Sequence, residues 1–95
     1  MKISYAVTVC NEFTEIQKLI PYLLDNIRPE DEIVILYDSK NGDEKVEEYL
    51  RAKSVNPTYS WHSGEFDGHF ADWKNKLSGF CSGDYIFQID ADELV

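Results

Sequence analysis

The chain has 95 residues, 43% of them hydrophobic and 14% aromatic, with 18 acidic against 9 basic side chains and a net charge of −9. That length bounds residues 1–95 to one domain with a modest core, and the apolar share excludes a disordered chain. The charge argues against nucleic-acid binding through a basic patch; an anionic small ligand stays compatible if a divalent cation stands between it and the protein.

Residues 3–9, ISYAVTV, are β-branched and aromatic with little charge, which predicts a strand covered on both faces. Asn11 and Thr14 are candidate caps for a helix over 14–27. There Ile16, Leu19, Ile20, Leu23, Leu24 and Ile27 recur at helical spacing, and Pro21 predicts an interruption or kink. RPED reads as a turn, EIVILY at 32–37 as a second buried strand, and DSKNGD as a polar turn. A charged surface helix follows over 43–53, with Val46, Tyr49 and Leu50 as its apolar stripe. TYSW at 58–61 suits a short third strand and HSGEFDGH a loop. Over 69–80, Phe70, Trp73, Leu77 and Phe80 mark a third helix, with Gly83 as its C-terminal cap. YIFQI at 85–89 is the last strand.

Strands alternating with helices predict an α/β fold, a Rossmann-like open parallel sheet of about four strands and three helices with right-handed crossovers. In such sheets ligands bind beyond the carboxyl ends of the strands. The segments Thr8 to Glu12, Asp38 to Lys40 and Asp90 to Glu93 should therefore converge on one rim.

Asp90 and Asp92, spaced i and i+2 at a strand end, can project from one side of an extended segment. Two carboxylates that close repel unless a cation shares them, and hard oxygens suit Mn²⁺ or Mg²⁺, which can clamp a diphosphate. Other sites read poorly. His62 and His69 lack zinc-ligand spacing. In DSKNGDEKVEEY, a calcium loop would need ligands where Lys40 and Gly42 stand and a glutamate where Tyr49 stands. Cys10 and Cys81 are too few for a disulfide framework and read as reduced packing residues, which implies a cytoplasmic setting. No secretory signal is visible, and ISYAVTV is far too short to span a bilayer.

The order of TVCNE after the first strand, an aspartate after the second, then WKNKLSGFCSGDYIFQIDADE, resembles the N-terminal half of a family 2 glycosyltransferase with the GT-A fold. The resemblance spans the chain and is most specific in its last twenty or so residues. It implies a truncated GT-A fold that binds a nucleotide-diphosphate sugar. Thr8 matches a position lining the base pocket, and Asn11 and Glu12 share its loop. Asp38 matches the acidic residue that reads base or ribose. Lys74 stands where the family often has an arginine near the diphosphate, beside Asn75, which matches its asparagine. A lysine there cannot supply the arginine's bidentate fork. Asp90 and Asp92 match the metal- and nucleotide-binding pair, and Glu93 extends the acidic loop.

In that family the domain continues past the Asp-x-Asp strand and supplies the acceptor site and catalytic base. The chain is therefore expected to be a nucleotide-sugar-binding half, with transfer requiring further chain or a partner. The alternatives are a non-catalytic binding module and a vestigial interaction domain. Uncovered, YIFQI would be an apolar sheet edge, which predicts a homo-oligomer paired through that strand.

Overall fold

A computed structural model describes residues 1–53 and 58–91. Four strands and three helices alternate: β1 (Ile3–Val9), α1 (Phe13–Asn26), β2 (Glu32–Asp38), α2 (Glu44–Ala52), β3 (Tyr59–Gly64), α3 (Phe70–Gly79) and β4 (Tyr85–Asp90). The strands form one parallel sheet in the order β3-β2-β1-β4, the expected Rossmann-like open α/β sheet. The register brings Thr8 level with Leu36 on one side and Asp90 on the other. The order reverses at β1, because α1 carries the chain to one flank and the later return places β4 on the other.

Two apolar layers sandwich the sheet, and the period of two along each strand decides which side chain enters which layer. On one face Val7, Val9, Ile33 and Ile35 meet Ile16 and Ile20 of α1, and Val46 and Leu50 of α2 complete the layer. On the other face Ala6, Val34 and Leu36 meet Trp73 and Leu77 of α3. β1 and β2 are thus covered on both sides, as their uninterrupted apolar runs required.

Several local expectations are corrected. α1 begins at Phe13, and neither Asn11 nor Thr14 caps it; the N-cap is Glu12, whose carboxylate accepts a hydrogen bond from the Cys10 N–H at 3.2 Å. The helix continues through Pro21, whose missing N–H leaves only the carbonyl of exposed Gln17 without its intrahelical donor. β3 runs on through His62, Ser63 and Gly64, residues first read as loop, because the ladder with β2 extends to the Asp38–Gly64 pair. Phe70 and Phe80 do not belong to the buried stripe of α3: they are 69% and 39% exposed, and Trp73 and Leu77 alone of that stripe are buried. Phe80 stacks on His62 of β3 with ring centroids 3.8 Å apart.

Gly83 is not a helix cap either. α3 ends at Gly79 with Phe80 as its C-cap, and Gly83 instead lies against the start of β1. A Cβ at Gly83 would stand 2.6 Å from Ser4 Oγ and 2.8 Å from the Ser4 N, so close backbone approach explains the residue. Its N–H donates to the buried Ser4 hydroxyl at 2.8 Å, and that hydroxyl donates to Glu32. Beside this knot Asp31, only 2% exposed, accepts from the Ile3 N–H and the Arg28 guanidinium. The Arg28 hydrogen bonds hold its carboxyl down at about 2. These contacts fix the amino ends of the strands, so the opposite rim is left to the loops that line the site.

Candidate functional site

At the carboxyl ends of β1, β2 and β4 a cleft of about 860 Å³ opens. Its position follows the rule for open α/β sheets, beside the point where the strand order reverses. Six residues singled out from the sequence line it together: Thr8, Asn11, Glu12, Asp38, Lys74 and Asp90. Asn75 does not; it is exposed on α3 and turned from the cleft by the helical step that brings Lys74 to it. Asp92 and Glu93 lie outside the described residues.

Asp90 is the meeting point of three elements. Because β1 and β4 pair with Thr8 opposite Asp90, the Thr8 hydroxyl donates to Asp90 Oδ1 at 2.9 Å. Lys74 Nζ, reaching over from α3, stands 3.8 Å from the same oxygen. Among the described residues Oδ2 accepts no hydrogen bond, and the side chain is 47% exposed. Among the described residues, then, the Thr8 hydroxyl and Lys74 both engage Oδ1 and none bonds Oδ2.

Asp38 does different work. It is 5% exposed, and its Oδ1 accepts from the backbone N–H groups of Lys40, Asn41 and Phe66 at 3.0, 3.4 and 3.2 Å. Oδ2 accepts from Asn41 Nδ2 at 2.9 Å and from the Cys10 thiol at 3.8 Å. Burial by itself would raise the carboxyl; the bonds from Asn41, Phe66 and Lys40 outweigh it and leave its pKa below the ordinary value. Asp38 therefore ties the loop after β2 to the loop after β3 and to the end of β1. Its partner Cys10 is pushed up to about 11 by burial and by the Asp38 and Glu12 carboxylates, so it stands as a neutral thiol rather than a nucleophile.

The sequence reading missed part of the lining. Glu15, Asn41 and Phe66 also face the cleft, as do Phe70 and Trp73 of α3, whereas Cys10 belongs to the segment Thr8 to Glu12 already expected on this rim. Asn41 was legible in principle, since an aspartate three residues before an asparagine in a polar turn invites such a bond. Phe66 was not, because its place depends on a contact with a residue 28 positions away.

In charge, the described residues of the lining set the carboxylates of Glu12, Glu15, Asp38 and Asp90 against one lysine, Lys74. An anionic ligand would need a further cation there. Among the described residues no three His, Cys, Asp or Glu side chains gather into a metal-binding group. What they do supply is the half-exposed carboxylate of Asp90, a hard oxygen donor of the kind Mn²⁺ and Mg²⁺ take. Asp92, the other carboxylate of the Asp-x-Asp pair, lies outside the described residues.

No helix among the described residues is long and apolar enough to cross a membrane. No family model matches the chain, and no curated protein matches it.

Proposed function

We propose that the chain binds a nucleotide-diphosphate sugar in this cleft, as the donor-binding half of a glycosyltransferase of the family 2 kind. The observation that carries the reading is the convergence of Thr8, Lys74 and Asp90, chosen from three separated segments, on one carboxylate. Lys74 would meet the diphosphate, and Thr8 holds the Asp90 carboxylate in place through Oδ1. Asp38 orders the two loops against which the nucleoside lies. A divalent cation, Mn²⁺ or Mg²⁺, would be held by Asp90 with Asp92 and would neutralise the diphosphate. Transfer to an acceptor would require residues from further chain or a partner. Free thiols at Cys10 and Cys81 fit a cytoplasmic setting.

Calorimetric titration with uridine and guanosine diphosphates, with and without Mn²⁺, tests this. Binding of one of them is expected to tighten with Mn²⁺, and Asp90→Asn to remove at least about tenfold of that gain. Wild-type protein that binds neither nucleotide in Mn²⁺ overturns the reading.

The second part of the proposal concerns β4. Among the described residues it is an edge strand, with Tyr85, Ile86 and Phe87 exposed by 61%, 41% and 50%. Such an edge offers unpaired backbone groups flanked by apolar side chains, the template for pairing with a second copy. Sedimentation at micromolar concentration is expected to show a dimer that Ile86→Lys converts to monomer; a wild-type monomer would count against it.

A further inference from the structure

Phe66 and Phe70 form an aromatic wall on the α3 side of the cleft. Their ring centroids lie 4.9 Å apart, and Phe66 also meets Trp73 edge-on at 5.6 Å. The base of the wall is rigid. Phe66 donates its N–H to Asp38, and its ring packs on the Ala6, Val34 and Leu36 layer with Trp73. The outer ring, Phe70, is 69% exposed, so packing within the fold does not account for it. A single exposed phenylalanine needs no explanation, but one that extends a fixed aromatic surface into a cleft of polar side chains has the composition of a ligand site.

We infer that Phe66 and Phe70 are the stacking face for the base of the bound nucleotide. The inference rests on the nucleotide reading above and adds to it a direction for the ligand. Phe70 and Lys74 are four residues apart on α3, so they share one helix face and are separated by a rise of about 6 Å. The phosphates belong at the Lys74 end. They are kept from the other end by the Asp38 carboxylate beneath Phe66 and by the electron-rich faces of the rings. A neutral planar ring meets neither objection and gains stacking area on a surface already held in place. The ribose would then span the helical turn between the two ends.

The experiment compares wild type and Phe70→Ala by titration, in Mn²⁺, with uridine diphosphate, guanosine diphosphate and inorganic pyrophosphate. Base stacking on one aromatic side chain is worth about tenfold in affinity. Phe70→Ala is expected to weaken the tighter nucleotide by about that factor, leave pyrophosphate unchanged, and be rescued by Phe70→Tyr. Trp73 provides a second readout: in a Trp61→Phe background, nucleotide should change its fluorescence and pyrophosphate should not. Phe70 is exposed, so the variant should melt as wild type does, which separates a lost contact from a lost fold. Equal nucleotide affinity in wild type and Phe70→Ala, or an equal loss for pyrophosphate, overturns the stacking role while the nucleotide reading stands. Wild-type protein that binds no nucleotide overturns both.

Discussion

Asp38→Ala is expected to lower stability by about 3 kcal/mol and the Tm by roughly 15 °C. The carboxylate serves three backbone N–H groups, one side-chain amide and one thiol, drawn from three loops. Hydrogen bonds to a charged acceptor contribute about 1.5–3 kcal/mol each when buried. Lys40 and Asn41 are exposed and can turn to water, so the loss stays nearer that of one or two bonds than of five. Asp38→Asn should be milder and shows the pH dependence. The folded-state pKa is depressed, so the charge stabilises the fold above the ordinary aspartate value of about 4, and that contribution is lost as pH falls through the lower folded value. Urea unfolding of wild type and Asp38→Asn should therefore differ most near neutral pH and converge in acid. A constant difference across pH would mean that the carboxylate acts through shape alone.

Trp73→Ala is expected to cost about 4 kcal/mol, a large part of the roughly 5–14 kcal/mol available to a domain of this size. The reason is the thinness of the second layer: of α3, only Trp73 and Leu77 are buried. Trp73 packs on Ala6, Val34 and Leu36, meets the Phe66 ring, and carries Lys76 Nζ 5.8 Å from its own ring centre. Hydrogen exchange should show α3 amides losing protection well before those of β1 and β2, which keep the α1 and α2 layer. Trp73→Phe should restore most of the loss. Because α3 carries both Lys74 and Phe70, the alanine variant should also lose nucleotide binding. Unchanged protection in α3 would mean that the helix is anchored by something other than this side chain.

The fold was legible because each element carries its own periodicity. The two covered strands read as unbroken apolar runs, α1 shows its stripe from Ile16 to Leu23, and the turns carry their polar signatures. Where reading failed, the cause was a contact between distant segments. Phe70 has the spacing of a core residue, yet α3 settles on the small residues of its layer through Trp73 and Leu77 and leaves Phe70 outside. Gly83 has the local setting of a helix cap, yet its place is fixed by Ser4, nearly the whole chain away. In the site, Asp38 and Asp90 were both conspicuous as acids after strands, and nothing local told them apart. One is sealed among five donors from the surrounding loops, and the other, among the described residues, meets only Thr8 and Lys74 and stays half exposed.

By itself, then, the order of residues determined the alternation of strand and helix and put polar groups at the ends of β1, β2 and β4, because periodicity and chain direction are local properties. Only the tertiary structure decided which of those groups meet. A parallel register must first align Thr8 with Asp90, and a helix crossing the opposite face must then bring Lys74 to the same oxygen. The first of these pairings depends on chain closure over 82 positions, and no short stretch of sequence encodes it.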